Sequence, residues 1–377
     1  MHIAYLTPEY PHPEVNNSAG IGTSIKNLAT ALVEKGHQVT LFIYGQEKYL
    51  RFQENKINFH LIYQKKYKLG GFYFYRKYLQ EYINEHSEQI DIIEAPDWTG
   101  VTAFMKLRKP LVIRLHGSDT YFCHLENRPQ KKKNFLFEKW ALKNAKFIIS
   151  VSEYTSKKTK ELFELSSEIR VIHNIIDLDR FAPFESIVNN RYILNFGSII
   201  RKKGVLVLAK AFNELAAQIP NVELIYLGKD VKDSLTGKLT STLIKKEIDT
   251  VFQKNVHFVS QVPYDQVRQY VNDATVICLP SYAEAFPMTW LEAMSMEKAL
   301  VTSSIGWAQE MMVHGETGFM VHPLDHKNMT YFMKEFLDDS SLRSLLGQNA
   351  RKRVKEYFST EVIVEQNIAY YKNICSL

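Results

Sequence analysis

The sequence predicts an α/β protein made of two doubly wound, Rossmann-like domains in series. Three observations predict it. Short apolar runs rich in Val and Ile alternate with amphipathic stretches along the chain, the pattern of βαβ units around a buried parallel sheet. That rhythm breaks once, near residues 177–190, and then restarts. And 377 residues exceed one ordinary core, whereas two domains of about 150–200 residues accommodate them.

In the first half the strand-like runs are 2–7, 38–44, 58–63, 90–95, 111–116, 146–152 and 169–174. Amphipathic stretches at 25–35, 135–144 and 153–163 separate them. In the second half the runs are 192–197, 222–228, 256–262, 275–281, 299–304 and 318–321, with helical patterns at 204–217, 264–272, 289–296 and 325–337. Pro183 and the polar pair Asn189 and Asn190 mark the break. The expected domains are 1–182 and 183–359, with a last helix, 360–377, returning to the first.

Composition narrows the function. Apolar residues make up 45% and charged residues 23%, ordinary for a globular protein. Three scattered cysteines, Cys123, Cys278 and Cys375, suit a reducing compartment better than a disulfide framework. No Cys/His spacing suggests zinc. The opening MHIAYLTPEY lacks the parts of a signal peptide, and no run is long and apolar enough to span a bilayer. The expected location is cytoplasmic, with peripheral contact at the inner face of the membrane as an option. Of the net charge of +6, +5 lies in residues 1–185. A basic face suits anionic lipid, a phosphate-bearing acceptor or nucleic acid; a plain solvated surface explains it equally well.

The strongest segment runs from Pro280 through Ser281, Glu284, Ala285, Phe286 and Pro287 to Glu292. It follows an apolar strand, and Pro287 suits the first turn of a helix. Residues 285–288 then present backbone N–H groups at a helix N-terminus, a ready anion site. Glu284 and Glu292 bracket that helix start, placed to accept hydrogen bonds from hydroxyls on either side of a bound anion. A surface loop with a helix-start glutamate is the plainer reading of each residue alone.

Glu284-x7-Glu292, framed by Pro280-Ser281 and by Ala293-Met294, resembles the donor signature of retaining glycosyltransferases of family 4. Four further segments resemble that family in the same order: Ala19-Gly-Ile-Gly-Thr, Leu115-His-Gly-Ser-Asp, Val171-Ile-His-Asn, and Asn195-Phe-Gly-Ser-Ile-Ile-Arg-Lys-Lys-Gly. Thr317-Gly-Phe-Met-Val-His-Pro completes the set. The resemblance implies the GT-B fold, two Rossmann-like domains facing across a cleft, and a nucleotide-sugar donor carrying UDP or GDP. It implies that Gly197, Arg201 and Lys203 hold the donor diphosphate, and that Lys203 and Arg201 neutralise the leaving group. Arg201 shares its register with Lys202, and Ser198 stands where many relatives carry the arginine. Gly20 and Gly22 lie in a segment that resembles an N-terminal acceptor-side loop of the family and are assigned to donor binding, with Ala19 replacing the first glycine of the usual pair.

The family histidine near the reacting carbon matches His116. Glu284 is assigned to the sugar and Glu292 to the ribose, while Asp97 and Asp119, at or beyond strand ends, suit acceptor hydroxyls. Asp177-Leu-Asp179 spells a metal motif of another glycosyltransferase fold, but it falls in the segment closing the first domain, so no metal and no cofactor are expected. The implied acceptor is a glycan or a lipid-linked glycan, and no nucleic acid is expected. The aromatic and basic stretch 63–83 suits either a membrane-facing edge or a core helix with a solvated face. A same-fold epimerase and a non-catalytic nucleotide-sugar binder are the rival functions.

Overall fold

The computed structural model describes residues 1–185 and 192–377. The chain forms two compact units, Met1–Ile175 with Ser359–Leu377, and Ile176–Phe358. The stretch expected to hold the break begins inside the second unit; Asn189 and Asn190 lie outside the described residues.

The first unit holds an eight-stranded sheet: β1 (His2–Thr7), β2 (Gln38–Gln46), β3 (Leu50–Glu54), β4 (Ile57–Tyr63), β5 (Ile92–Pro96), β6 (Leu111–Leu115), β7 (Phe147–Ser150) and β8 (Arg170–Val171). Their order is β3-β4-β2-β1-β5-β6-β7-β8. Every pairing is parallel except β3 with β4. The β3–β4 hairpin is absent from the sequence expectation. Asn55 and Lys56 form its two-residue turn with φ of 48° and 63°, the left-handed pair that matches strand twist. The alternation of Leu50 and Phe52 ahead of that turn was its signal.

The second unit holds six parallel strands: β9 (Tyr192–Phe196), β10 (Glu223–Leu227), β11 (Val256–Val259), β12 (Val276–Leu279), β13 (Leu300–Ser303) and β14 (Phe319–Val321). Their order is β11-β10-β9-β12-β13-β14. Each sheet therefore has one point where the winding reverses, between β1 and β5 and between β9 and β12. Loops leaving the carboxyl ends of two such strands diverge to opposite faces and open a crevice where ligands bind in folds of this kind.

Expected elements shorten where local chemistry intervenes. The strand expected at 256–262 stops at Val259, ahead of Pro263, which caps the helix Tyr264–Asp273. The strand expected at 169–174 pairs only over Arg170–Val171. The helix expected from Gly204 starts at Val205, because Gly204 is left-handed with φ 71°.

Burial supplies the cohesion. In the first unit, Ile25, Leu28 and Leu32 of the helix Gly20–Glu34 share a core with Ile363, Val364 and Ile368 of the helix Thr360–Cys375. Each fully buried aliphatic side chain contributes about 1.5–3 kcal/mol. A buried polar network fixes the position of that last helix. Arg114 on β6 donates to Glu94 on β5 through two hydrogen bonds of 2.7 and 2.9 Å. The same guanidinium reaches Asn367 Oδ1 at 2.5 Å, and the Tyr371 hydroxyl donates to Glu94 at 2.6 Å. No helix among the described residues is long and apolar enough to cross a membrane.

Candidate functional site

In the second unit the candidate residues meet at the reversal point, on the loops that leave β9 and β12. After β9 the chain passes Gly197, whose φ of 109° only glycine adopts readily, and makes a 3-10 turn over Arg201–Lys203. Gly204 then brings the turn against the end of β12. A Cβ there would lie 2.0 Å from the Pro280 carbonyl oxygen. The Tyr282 N–H donates to the Lys202 carbonyl at 2.7 Å, tying the two loops together.

That stitching brings opposite charges into register. Lys203 forms an ion pair with Glu284, and Ser281 Oγ donates to the same carboxylate at 3.1 Å. Arg201 turns onto Asp233 with a two-point contact of 2.6 and 3.1 Å. Asp233 also accepts the Thr236 N–H and hydroxyl at 3.0 and 2.8 Å. The Arg201 hydrogen bond holds the Asp233 carboxyl below its ordinary range, against the opposing effect of burial. Asp233 was missing from the sequence reading, since one Asp in a polar loop carries no spacing signal.

Glu292 lies on the helix Met288–Ser295 and is buried. The Tyr264 hydroxyl donates to it at 2.6 Å. Burial pushes its carboxyl up to about 7, opposed by Tyr264 and by the charges of Arg180 and Lys203. Pro287 is the residue before the helix, with ψ 123°, rather than part of its first turn. Its missing N–H is still harmless there, because the first turn has no carbonyl to offer it. Ala285 and Phe286 are buried beside it, Phe286 with its ring 5.3 Å from that of Phe358.

In the first unit the candidates also cluster at carboxyl ends of strands. The His116 N–H at the end of β6 donates to Asp97 Oδ1 at 3.0 Å, just past β5. Burial, and then the charge of Arg114, press the imidazole down to about 3, so the ring is neutral at physiological pH. Burial raises Asp97 to about 8, with Glu138 adding to the rise, and its second carboxyl oxygen is buried without a partner. Asp119 starts the helix Asp119–Leu125 and accepts hydrogen bonds from Asn134 at 2.8 Å and Arg128 at 3.1 Å.

Two organising carboxylates escaped the sequence reading. Glu138 accepts the N–H groups of Thr99, Asp119 and Thr120 at 2.9–3.1 Å, together with the Thr120 hydroxyl. It thereby joins the Asp97 and Asp119 loops. Its place among Phe135, Ala141 and Leu142 on one helical face, with no lysine there to pair with it, was the available signal. Glu9 accepts the Gly22 N–H at 2.8 Å and so occupies the positive end of the helix Gly20–Glu34. A Cβ on Gly22 would fall 2.9 Å from Tyr10 Cα, so that glycine admits the chain's own loop, whereas a Cβ on Gly20 would meet open space. Among the described residues no group of His, Cys, Asp and Glu is arranged to hold a metal ion.

The comparisons with known proteins divide along the same lines. Residues 18–180 match the model described as Glycosyltransferase Family 4, and residues 179–353 match Glycosyl transferases group 1. Over 252 residues the chain is 27% identical to the capsular polysaccharide biosynthesis glycosyltransferase CapM of Staphylococcus aureus, covering 63% of this chain and 64% of that protein. Among solved structures, sucrose-phosphate synthase from Thermosynechococcus elongatus superposes with a TM-score of 0.80 at 18% identity over 100% of both chains. HepE from Anabaena, solved in complex with UDP-glucose, superposes at 0.74 with 19% identity, again over 100% of both. At those identities the likeness establishes the GT-B fold and no more.

Proposed function

Because this chain belongs to the group 1, family 4 glycosyltransferases, we propose that it moves a hexose from a nucleoside diphosphate sugar to a hydroxyl of a glycan or lipid-linked acceptor, with retention of anomeric configuration. The product would be a surface polysaccharide or glycoconjugate, made on the cytoplasmic side; the likeness to CapM supports that class of product. The observation that carries the reading is the Lys203–Glu284 ion pair, set at the reversal point of the second sheet with Arg201 and a helix start beside it.

The chemistry follows from these charges. A donor diphosphate brings negative charge to Lys203, Arg201 and the backbone at 285–288, where cations and a helix start favour it. Lys203 then shares its charge between the diphosphate and Glu284, which frees the carboxylate to accept a hydroxyl of the sugar. Glu292, one turn into the helix, accepts from the ribose. As the bond between the anomeric carbon and the diphosphate oxygen breaks, charge grows on that oxygen, and the two cations stabilise it. The acceptor oxygen bonds to the same face, and its proton passes to the departing phosphate. His116 is assigned to the sugar near the reacting carbon, where its neutral form donates or accepts one hydrogen bond without adding charge, and Asp97 and Asp119 to acceptor hydroxyls. The countercharge comes from Arg201 and Lys203, so the reaction should proceed unchanged in EDTA.

A thermal-shift screen of UDP- and GDP-sugars identifies the donor. A ligand at 100 times its dissociation constant adds about 2.7 kcal/mol of stability. Product anomers read by NMR then test retention. An inverted product, or sugar epimerised without an acceptor, would reject the proposal.

A further inference from the structure

The first unit exposes an aromatic face that the donor chemistry leaves unused. After β4 the chain is exposed without interruption from residue 63 to residue 70. The helix Gly71–Glu85 follows; it buries Arg76, Leu79 and Ile83 and turns Phe72, Tyr73 and Phe74 outward. The face continues onto the helix Lys132–Lys143. Phe72 lies 5.9 Å from Phe137, Tyr73 lies 5.7 Å from Phe104, and Phe104 lies 5.3 Å from Trp140. Leu69 is 84% exposed, Leu136 60%, Trp140 51%, Phe74 50% and Phe72 48%. Single exposed apolar residues are ordinary, whereas a contiguous group of this size marks a contact surface.

Its charge is one-sided. Residues 63–80 contain five Lys or Arg and residues 128–137 contain four, with no Asp or Glu in either stretch. Lys65, Lys66, Lys68, Lys131, Lys132 and Lys133 are exposed. Lys133 lies 3.8 Å above the Phe72 ring and Lys65 lies 4.0 Å above that of Tyr78, so cations and rings share one surface. Arg76 is spent internally. Its guanidinium donates to the carbonyls of Phe72, Thr99 and Gly100 at 2.8–3.0 Å, which fastens the start of the helix to the loop behind Asp97.

We propose that this face docks on a bilayer containing anionic lipid, with the rings at headgroup depth and the lysines against lipid phosphates. Aromatic side chains and long amines suit that boundary because each has an apolar body and a polar end. A second copy of the chain fits poorly, since a twofold contact would set like charges against each other. Docking would hold the loop behind Asp97 at the membrane surface, where a lipid-linked acceptor is presented.

The test is co-sedimentation of the full chain with vesicles of phosphatidylcholine alone and of phosphatidylcholine mixed with phosphatidylglycerol. It needs neither donor nor turnover, so its outcome is independent of the proposed reaction. The chain should bind the mixed vesicles and leave the neutral ones largely unbound. Lys131→Ser/Lys132→Ser/Lys133→Ser should weaken binding about 100-fold, and Leu69→Ser/Phe74→Ser/Trp140→Ser should weaken it about tenfold or more. Leu345→Ser, an exposed position in the second unit, should change nothing. Melting curves check that each variant is folded; if one is not, Lys65→Glu/Lys66→Glu replaces it. Equal binding to neutral vesicles, no binding, or full binding by the aromatic and lysine variants would overturn the proposal. So would a dimer in sedimentation velocity that the Leu69/Phe74/Trp140 substitutions dissociate, because the face would then serve a protein contact.

Discussion

Both units gather charged residues at the carboxyl ends of their strands, but they use them in opposite ways. In the second unit the charges face one another: Lys203 pairs with Glu284, and Arg201 pairs with Asp233. The Lys203–Glu284 pair joins two loops side chain to side chain, whereas Asp233 also accepts the Thr236 N–H and so anchors Arg201 to its own loop. In the first unit the carboxylates of Glu138 and Glu9 hold backbone N–H groups instead, and His116 is kept neutral. Those groups build loops and cannot be released without unfolding them. One unit sets its charges against each other; the other spends them on shape.

Substitutions that separate activity from stability test this contrast. The largest effect is expected from Lys203→Ala. Turnover should fall about 100- to 1000-fold, as when one transition-state cation or donor is removed, while the melting temperature changes little. Near-normal turnover would break the contrast at its strongest point. Glu138→Ala should act the other way, destabilising by about 2–3 kcal/mol because several buried donors lose their acceptor. Chemical denaturation measures it, and a stable, fully folded variant would remove the scaffold role. Asp233→Asn sharpens the comparison within the second unit. It keeps the shape but weakens the hold on Arg201, and should lower kcat about tenfold with unchanged folding.

A pH slope from Asp97 tests the first unit by itself. The unfolded chain releases this proton near its ordinary value of 3.8, while the folded protein keeps it up to about 8. The folded state therefore binds the proton more tightly, and the stability it contributes at low pH is lost as pH rises from about 4 to 8. Asp97→Asn, which copies the protonated form, should show a flatter decline in melting temperature over that window. Parallel curves for the two proteins would place Asp97 in contact with water.

Much of the fold was legible in the sequence because buried parallel strands must be continuous apolar runs, and most such runs are strands in the structure. The exceptions have local causes. β3 is a polar edge strand, Leu50–Glu54, three of whose five residues are exposed, so its composition resembles a loop. Glu94 and Arg114 lie inside the runs 90–95 and 111–116, which are strands as expected, yet nothing local showed that together they hold the helix Thr360–Cys375. In the candidate site, Glu284, Glu292, Arg201 and Lys203 were singled out by a resemblance to a family signature, and the structure sets Lys203 against Glu284 on neighbouring loops. Asp233, Glu138 and Glu9 were not readable. Each acts on residues distant in sequence, 32 residues away for Asp233 on Arg201 and 39 for Glu138 on Thr99.

The sequence by itself determined the two α/β halves and the charged loops after two strands of the second half. These follow from periodicity and from turn chemistry, which act over a few residues. Only the tertiary structure decided which charges meet. The order of strands places the loop after β9 against the loop after β12, and the lack of room at Gly204 brings Lys203 to Glu284. Strand order depends on packing across the whole sheet, and no local pattern in the chain encodes it.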